Sequence, residues 1–455
     1  MKICIIGAGT SGIQTLNMLK DYHECHLFDK KAEPGGVWQN SFHGRCLQVP
    51  KELYEFIGFP SNEESGTFSS GETIKKYIQD YVEHYKLKKK GIFHMNEQVD
   101  MIIRLPNNKW NVVTTKMSYN FDYCIICTGM HDVPYTPEEY DFEETIHSSE
   151  LEDAQNLTDK NVLVIGGGKS SIDCALESTK YAKKVLFYSI NSHWPIPRYV
   201  LNIFPFKYIT HSRLSHLLLP KHWNITDSES KWHDFFMGTK YYVFKCIEKI
   251  FSFQFSLQET PNVSLVNDLF IENQVLSYDF HNNLENGNII KIEEEELESC
   301  IDKSDIIICG TGFTKDYSIF YEMEELGVEK DGLWLYKNIL HPNIENLAFI
   351  GSEVCTLNNI LTSYLQAKWL QYLFENEGLE SDISISKKLM MDYIEKEKKW
   401  KQSFASNVKE RLSAIQPNMT KYHDILMDDM KFKKVKTRWW EWFFPITAHD
   451  YLHIV

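Results

Sequence analysis

Two glycine-rich turns constrain the fold of this chain more than any other feature. The first occupies residues 7–12, directly after the apolar run 2–6, and the second occupies residues 166–171, directly after the apolar run 161–165. A glycine-rich turn after an apolar strand should lead into a helix. The N-terminal N–H groups and the dipole of that helix favour a pyrophosphate. One turn of this kind could reflect close packing alone, but two in equivalent contexts predict two dinucleotide sites. The residues expected at these sites are Gly7, Gly9, Gly12, Gly166, Gly168, Lys169 and Ser170.

A second repeat supports the first. Residues 121–129 and 304–312 each contain an Asp, a short apolar run and, at the same spacing, a Thr-Gly pair. Each segment is typical of a buried strand whose end comes close to another group, because glycine permits close approach or a positive φ. Thr128 and Gly129 are therefore further candidates for cofactor contact.

The residue at the end of the second strand of each unit indicates a different cofactor for each site. Asp29 lies at the distance from the first turn at which a carboxylate bonds a ribose 2′-hydroxyl, which suits FAD or NAD. The equivalent position of the second unit holds Ser189. Without a carboxylate there, a 2′-phosphate would not be repelled. Lys183, Lys184 and Arg198 are near in sequence and could pair with that phosphate, which favours NADPH. The alternative is that the two lysines form a solvated strand entry and the arginine lies on the surface.

Further motifs, spread along nearly the whole chain, give a specific family resemblance. Residues 33–38, with Gly36 and Trp38, resemble the flavin-proximal GGxW motif of the class B flavin-dependent monooxygenases. This group contains the flavin-containing monooxygenases, the plant auxin-synthesising enzymes and the Baeyer–Villiger enzymes. Other segments that resemble the family follow in the same order: 47–52 with 58–60 beside the flavin, 146–150 in the family fingerprint, 192–198 in the NADP domain, and 347–351 with 364–369 in the return to the flavin domain. The resemblance implies an α/β fold with two Rossmann-like domains, one for FAD and one for NADP.

These anchors predict the domain limits. Residues 1–155 and 304–455 should form a discontinuous FAD-binding domain that ends in a C-terminal tail, and residues 156–303 should form the NADP-binding domain. Segment 201–258 is long, aromatic and helical in pattern. It is interpreted as an extra helical layer, or as an insertion that lines substrate access or a partner surface. Ser70, before the periodic apolar run that starts at Ile74, predicts a capped amphipathic helix.

The sequence departs from the family pattern at two places. Around His147, three usual fingerprint positions, two aromatic and one glycine, hold Asp141, Glu143 and Leu151, so a Baeyer–Villiger enzyme is less expected. His147 is interpreted as a hinge histidine bonded to the backbone between the domains rather than as an acid–base group. Beside the flavin, where many flavin-containing monooxygenases carry an Asn, this chain has Gln48.

The resemblance implies an oxidoreductase that uses FAD, NADPH and O2. In this family NADPH reduces FAD, the reduced flavin and O2 form a C4a-hydroperoxyflavin, and the distal oxygen passes to a soft nitrogen or sulfur nucleophile of a small molecule. On that basis Gln48 is the candidate catalytic amide, Trp38 a wall beside the flavin, Gly351 a close backbone approach and Gln366 a further cofactor contact. The alternatives are a Baeyer–Villiger monooxygenase, an uncoupled NADPH oxidase and a non-catalytic flavin-binding interaction protein.

Composition limits the partners and the compartment. The 455 residues carry a formal net charge of −15, which argues against nucleic acid as a partner, because proteins that bind it present a basic footprint. The 10 cysteines are scattered, and Cys124 and Cys127 fall inside a predicted strand, so we expect core thiols, no metal site and a reducing, cytoplasmic setting. Met1 opens directly into the first strand, so no signal peptide is expected.

The C-terminal region combines basic and aromatic residues. No apolar run is long enough to predict a membrane span. A basic stretch followed by indoles nevertheless suits a membrane interface, where cations meet headgroups and Trp favours the interfacial depth. Docking of the tail onto the folded body is the simpler interpretation. The residues concerned are Lys431, Lys433, Lys434, Lys436, Arg438, Trp439, Trp440, Trp442, Phe443 and Phe444.

Overall fold

The structure is a computed structural model that describes residues 1–39, 45–62, 66–90, 92–131, 133–190, 194–257, 260–261, 264–266, 268, 275–276, 278–376, 385–404 and 411–455. Ser192, His193 and Gln258, which belong to segments discussed above, lie outside the described residues. The strands are β1 (Lys2–Ile6), β2 (Glu24–Asp29), β3 (Ile92–Met95), β4 (Val99–Arg104), β5 (Trp110–Thr114), β6 (Ser118–Phe121), β7 (Tyr123–Ile126), β8 (Val133–Pro134), β9 (Thr145–His147), β10 (Asn161–Ile165), β11 (Lys184–Tyr188), β12 (Ile196–Pro197), β13 (Tyr199–Val200), β14 (Phe204–Pro205), β15 (Val275–Leu276), β16 (Ile289–Lys291), β17 (Ile306–Cys309), β18 (Phe313–Thr314) and β19 (Leu347–Phe349). The helices are α1 (Thr10–Leu19), α2 (Gly71–His84), α3 (Leu87–Lys90), α4 (Lys169–Ser178), α5 (Phe206–Thr210), α6 (Arg213–Leu218), α7 (Asp227–Phe235), α8 (Met237–Gln254), α9 (Tyr278–Glu285), α10 (Glu294–Ile301), α11 (Asn359–Asn376), α12 (Lys387–Phe404) and α13 (Met419–Asp429).

Two five-stranded parallel sheets form the framework. The strand order is β19-β7-β1-β2-β3 in the first sheet and β16-β11-β10-β17-β9 in the second. The central strands β1 and β10 are almost wholly buried, as expected where helices cover both faces of a parallel sheet. Each central strand leads through a glycine turn into a helix, α1 or α4. The predicted α/β class with two Rossmann-like units is confirmed.

Strand pairing shows where the chain passes between the sheets. β9 and β17 lie outside the predicted limits 156–303, but β17 pairs with β10 and β9 pairs with β17, so both belong to the second sheet. The segment that leaves the first sheet and the one that returns to it pair with each other as the antiparallel ribbon β8–β18. The domain limits themselves stay a prediction.

Helix α2 shows how the local sequence sets an element that packs on the first sheet. Ser70 Oγ accepts a hydrogen bond from Thr73 N at 3.2 Å, which caps the helix as predicted. The positions spaced as one helical face are the buried ones: Ile74, Tyr77, Ile78, Tyr81 and Val82.

The predicted helical insertion, α5–α8, is tied to the C-terminal part of the chain. Arg213 in α6 donates to both carboxylate oxygens of Asp424 in α13, at 2.8 and 2.7 Å. Trp223 Nε1 donates to Glu397 Oε2 in α12 at 2.5 Å. Of the helices in the described ranges, none is long and apolar enough to cross a membrane.

Candidate cofactor site

The first glycine turn divides into glycines required by packing and one that is not. A Cβ at Gly7, whose φ is +104°, would lie 2.5 Å from Cys127 O, and a Cβ at Gly12 would lie 1.8 Å from Gly7 O. Among the described residues, only Gly36 Cα, at 3.7 Å, would come within 4 Å of a Cβ at Gly9. Packing therefore explains Gly7 and Gly12, whereas Gly9 lines open space.

That open space is a cavity of about 360 Å³. Its walls come from the first turn with α1, the end of β2, parts of the segment 35–54, the end of β7, and the region of the β8–β18 ribbon. Six predicted site residues meet there: Gly9, Asp29, Gly36, Trp38, Thr128 and Gly129. The wall also includes residues that the sequence did not single out for cofactor contact, among them Arg45, Tyr54, His131 and Phe313.

Asp29 braces the glycine turn against the end of β2. Its Oδ2 accepts a hydrogen bond from Ala8 N at 2.7 Å, and its Oδ1 accepts one from Lys31 N at 2.8 Å. These bonds orient the carboxylate at the cavity wall. A bond from the carboxylate to a cofactor ribose stays a prediction.

One wall of the cavity combines an aromatic ring with a cation. Trp38, which is 8% exposed, donates from Nε1 to Tyr54 OH at 2.8 Å. The Arg45 guanidinium stands 5.1 Å from the centre of the Trp38 ring, within cation–π range. Arg45 also donates to Val37 O at 3.2 Å, which fixes its direction. Sequence reasoning missed Arg45 and Tyr54, because no motif marks them and only folding brings them to Trp38.

The second glycine turn repeats this division with one exchange. A Cβ at Gly166, whose φ is +122°, would lie 2.6 Å from Gly310 O, whereas the nearest described atom to a Cβ at Gly168 is Gly310 O at 3.9 Å. Ser171 stands where the first turn has its third glycine, and its Oγ donates to Gly310 O at 3.0 Å. A Cβ at position 310 would lie 2.1 Å from that Oγ, so a glycine in β17's continuation makes room for the serine. Gly168, like Gly9, is open.

Lys169 and Ser170 begin helix α4 behind this turn. Lys169 Nζ forms an ion pair with Asp173 one turn later, and the two side chains are 12% and 14% exposed. The N–H groups of such a first turn lack acceptors within the helix. Contact of Lys169 and Ser170 with a phosphate stays a prediction.

The two lysines assigned to a 2′-phosphate lie at the wrong end of the sheet. Lys184 pairs in register with Asn161, at the amino end of β10, whereas Ser189 follows the carboxyl end of β11. At about 3.3 Å per residue, Lys184 and Ser189 are roughly 16 Å apart. Cofactors of this fold bind at the carboxyl ends of parallel strands, so the prediction that Lys183 and Lys184 pair with the phosphate is wrong. They are the exposed strand entry of the alternative interpretation.

Arg198 joins the second part of the chain to the first. Its Nη2 donates to Cys46 Sγ at 2.7 Å, and its guanidinium stands 5.1 Å from the centre of the Phe68 ring. The side chain is half-buried in these contacts. A contact of Arg198 with NADPH stays a prediction.

Gln48 lies close to the cavity in sequence, between Arg45 and Tyr54 of its wall. The side chain is half-buried, and the adjacent Leu47 N donates to Ser69 O at 2.9 Å. Gln48 is not among the described residues that line the cavity. Its role as an amide beside the flavin stays a prediction.

Gly351 makes a close approach, and the partners seen are two serines. Gly351 has φ +65°, and a Cβ there would lie 2.0 Å from Ser11 Oγ in α1 and 2.6 Å from Ser363 Oγ in α11. Gln366 Oε1 accepts from Gly351 N at 2.9 Å, and Gln366 Nε2 donates to Tyr422 OH at 2.8 Å. Gln366 is fully buried and uses its amide inside the protein. Direct cofactor contact stays a prediction for Gly351 and Gln366.

His147 lies at the end of β9, beside the ribbon that links the sheets. Its Nε2 donates to Gly312 O at 2.8 Å, which leaves Nδ1 to accept from Ser149, whose Oγ is 2.7 Å away. Burial lowers the pKa of His147, and the bond to Gly312 opposes this shift only in part. The predicted bond of His147 to the backbone is present, whereas its role as a hinge stays a prediction.

The predicted core thiols are confirmed. Cys124 and Cys127 are 0% and 3% exposed, and neither forms a disulfide. Within the described part of the chain, no group of three or more His, Cys, Asp or Glu side chains is placed to hold a metal ion.

The residues around the cavity fit a dinucleotide. Gly9 and Gly36 leave backbone exposed where a side chain would fill the space. The start of α1 presents N–H groups and the positive end of the helix dipole, which suit a pyrophosphate. Trp38 and Arg45 add a flat apolar face and a fixed positive charge.

Comparison with known proteins agrees with this geometry. Residues 1–437 match the model of a family described as FMO-like, flavin-binding monooxygenase-like. The human protein "Dimethylaniline monooxygenase [N-oxide-forming] 4" is 27% identical over 428 residues, which cover 87% of this chain and 73% of the human one. The structure of S-allyl-L-cysteine S-oxygenase from Allium sativum superposes with a TM-score of 0.61 at 16% identity, covering 97% of this chain and 90% of that one. Cyclohexanone monooxygenase from Rhodococcus sp. Phi1 bound to NADP+ gives 0.66 at 15% identity, covering 95% and 98%. The resemblance read from the sequence is thus confirmed, and the chain belongs to the flavin-binding monooxygenase-like family.

Proposed function

We propose that the protein is an FAD-dependent monooxygenase that uses NADPH and O2 to oxygenate a soft nitrogen or sulfur nucleophile of a small molecule. One observation carries the proposal. The open glycines Gly9 and Gly168 stand in two equivalent turns, each at the carboxyl end of its own parallel sheet. Two accessible backbone turns of this kind are what two dinucleotides require.

In this proposal the first turn and its surroundings hold FAD. Gly9, Gly36 and the start of α1 receive the pyrophosphate, and Asp29 bonds the ribose. Trp38 would flank the flavin ring, and Arg45, whose guanidinium lies over the Trp38 ring, would place a positive charge in the same wall. Bound flavin supplies the redox chemistry with NADPH and O2, which no side chain provides.

The second turn holds NADPH in this proposal. Gly168, Lys169 and Ser170 receive its pyrophosphate at the start of α4. Ser189 admits the 2′-phosphate because it carries no negative charge. The NADP+ bound to the Rhodococcus structure supports this cofactor.

The protein's own contribution is placement and the exclusion of water. Gln48 would present its amide at the reactive edge of the flavin, where hydrogen bonds and a dry pocket limit the loss of oxygen as H2O2. The β8–β18 ribbon contributes Pro134 and Phe313 to the wall of this cavity.

Nitrogen and sulfur nucleophiles are favoured over ketones. The human relative is named for N-oxide formation, and the Allium structure is named for S-oxygenation. The departures from the fingerprint around His147 point in the same direction. The proposed substrate class is therefore a tertiary amine or a thioether.

Aerobic turnover tests the proposal. Purified protein would be given NADPH and a panel of amines, thioethers and ketones, with NADPH consumption, H2O2 and product mass measured together. We expect products heavier by one oxygen atom from amines or thioethers, in proportion to the NADPH consumed. NADPH consumption matched by H2O2 for every substrate would point to an oxidase, lactones from ketones to a Baeyer–Villiger enzyme, and no NADPH consumption to an interaction protein.

We also propose that the protein is cytoplasmic and that its C-terminal aromatic cluster touches a membrane surface. Trp439, Trp440, Phe443 and Phe444 are between 49% and 69% exposed. The segment is docked on both sides of this cluster: Arg213 Nε donates to Val435 O at 2.7 Å, and Ile446 N donates to His211 O at 2.8 Å. The docked segment leaves these aromatic side chains exposed, which supports the proposed membrane contact.

A further inference from the structure

The β8–β18 ribbon between the two sheets is anchored on both sides. Toward the second sheet, His147 donates to Gly312 O. Toward the first sheet, Lys315, the residue after β18, donates from Nζ to Gly129 O at 2.9 Å, just past the end of β7. Gly129 and Phe313 both line the cofactor cavity. The second anchor therefore lies directly behind the cavity wall.

Lys315 belongs to a buried cluster. Glu353 Oε1 lies 3.1 Å from Lys315 Nζ, and Tyr317 OH donates to Glu353 Oε2 at 2.9 Å. The Lys315 and Glu353 side chains are 11% and 2% exposed. Glu353 is itself held, because its carbonyl oxygen accepts from Asn338 Nδ2 at 2.8 Å. One buried carboxylate thus orients a lysine and a tyrosine of the returning linker.

Stability of the folded state alone does not explain the buried pair of Lys315 and Glu353. A buried ion pair loses much of its attraction to desolvation, and an apolar pair of similar volume is often as stable or more so. Burial raises the pKa of Glu353, and Lys315 and Tyr317 oppose that shift, so the carboxylate depends on its partners for its charge. What an apolar pair would not supply is the hydrogen bond to Gly129 O.

The hydrogen bond from Lys315 restrains Gly129, a glycine that has few close contacts. Its φ is +76°, and none of the described atoms lies within 4 Å of the place where its Cβ would stand. A glycine without close neighbours has wide conformational freedom. The donor on Lys315 restricts this freedom at a point where the backbone forms the cavity wall.

We propose that Lys315, held by Glu353 and Tyr317, is a positioning residue that fixes the Thr128–Gly129 wall of the cofactor cavity to the ribbon between the two sheets. The ribbon and the wall then move together, and the flavin keeps one position relative to the second dinucleotide site. The effect on the flavin rests on the proposed function, whereas the effect on the wall does not.

Hydrogen–deuterium exchange of the full-length chain tests the wall directly. The variant Lys315→Met/Glu353→Gln removes both charges and the hydrogen bond to Gly129 O, while the amide oxygen at position 353 leaves Tyr317 OH an acceptor. We expect amide exchange in peptides that cover residues 127–131 to become at least tenfold faster, with peptides from β10 unchanged. Unchanged exchange at 127–131 would overturn the proposal, whether or not the protein binds flavin.

A matched control separates positioning from general stability. Lys401 and Glu397 form a comparable pair in α12, with Nζ and Oε1 3.3 Å apart and side chains 0% and 4% exposed. Lys401→Met/Glu397→Gln should lower the melting temperature without faster exchange at 127–131. Equal acceleration by this control variant would show that loss of any buried pair loosens the wall, which would also overturn the proposal.

The flavin-bound protein gives the second measurement. The Lys315→Met/Glu353→Gln variant should shift the visible flavin spectrum and raise KM for NADPH at least threefold while kcat changes less. The single variant Lys315→Arg, which keeps a cationic donor at this position, should retain the wild-type spectrum and KM. A wild-type protein that binds no flavin would refute the proposed function, while the exchange experiment would still decide the role of Lys315. Faster exchange with an unchanged spectrum and KM would confine Lys315 to the wall and overturn its effect on the flavin.

Discussion

Gly36 approaches Gly9 so closely that a Cβ on Gly36 would stand 3.1 Å from Gly9 Cα. The two residues come from separate motifs, the first glycine turn and the EPGGVW segment, and Gly35 N donates to Ala8 O at 2.9 Å beside them. The pair forms one backbone cradle at the cavity wall. Because both motifs form the cradle, a side chain added to either glycine should block it.

Gly9→Val should abolish flavin retention with little loss of stability. The new side chain would fill the cradle, but its Cβ meets only Gly36 Cα, at 3.7 Å, among the described atoms. Loss of a glycine helix cap costs about 1 kcal/mol, which lowers the melting temperature by a few degrees. Absorbance at the flavin bands and a thermal melt check both parts.

Gly12→Val is the control for that variant. Its Cβ would lie 1.8 Å from Gly7 O, so it should unfold the domain or lower the melting temperature far more than Gly9→Val. Full FAD occupancy in a folded Gly9→Val protein would refute the assignment of the first turn.

Ser189→Glu should erode the preference for NADPH. A charge-assisted contact with a 2′-phosphate contributes about 1.5–3 kcal/mol, equivalent to roughly ten- to a hundredfold in affinity, and a carboxylate there would oppose it. The ratio of KM values for NADH and NADPH is the measurement. Lys183→Ala/Lys184→Ala should leave the ratio unchanged, because those residues lie at the other end of β11. Equal affinities for both cofactors in the wild type would contradict the prediction.

Gln48→Leu should divert oxygen to H2O2. The share of consumed NADPH that appears as H2O2 should rise several-fold, because Leu lacks the amide that we propose forms hydrogen bonds beside the flavin. Flavin reduction by NADPH under anaerobic conditions should change less than twofold. A variant that slows reduction and leaves the H2O2 share unaltered would place Gln48 in cofactor binding instead.

His423 should make the protein less stable in mild acid. Burial, followed by the charge of Arg213, lowers its pKa to about 3, and its ring nitrogens contact Thr362 Oγ1 and Tyr451 OH at 2.8 and 2.9 Å. Because the unfolded state binds a proton below about pH 6.5 and the folded state does not, stability is full above that pH and falls as the pH drops toward 3. At pH 5 the loss is about 2 kcal/mol.

Urea unfolding at pH 7 and pH 5 measures this contribution. The difference in unfolding free energy between the two pH values should shrink by about 2 kcal/mol in His423→Gln. The same pH dependence in variant and wild type would show that His423 is already protonated in the folded protein.

The tail should bind anionic lipid vesicles through its exposed rings. Trp439→Ala/Trp440→Ala/Phe443→Ala should weaken binding about tenfold or more, because each ring buries apolar area at the interface. Co-sedimentation with vesicles at low and high salt measures it. Trp232→Ala/Phe235→Ala changes residues that are 55% and 75% exposed on α7 and should leave binding intact. Equal loss in both variants would indicate general stickiness of exposed aromatic residues.

Local patterns determined much of this protein from sequence alone. The two apolar runs and their glycine turns specified the central strands, the helices behind them and the presence of two dinucleotide units, because strand burial and turn chemistry are short-range properties. Ser70 and the apolar period after it specified α2 for the same reason. The order of family motifs added the expected chemistry, and the match of residues 1–437 bears out the family.

Only the tertiary structure decided which residues share a site. Lys184 and Ser189 are neighbours in sequence but lie at opposite ends of a strand, which sequence proximity does not show. Ser171 and Gly310 are 139 positions apart, and the serine hydroxyl fits the second turn only because position 310 is a glycine. The contact of the Arg45 guanidinium with the Trp38 ring and the pair of Lys315 with Glu353 depend on the path of the chain around the cavity, and no sequence motif marks either of them. Contacts of this kind depend on strand direction and on which loops converge at the carboxyl ends of the sheets, and neither is encoded in any local window of the chain.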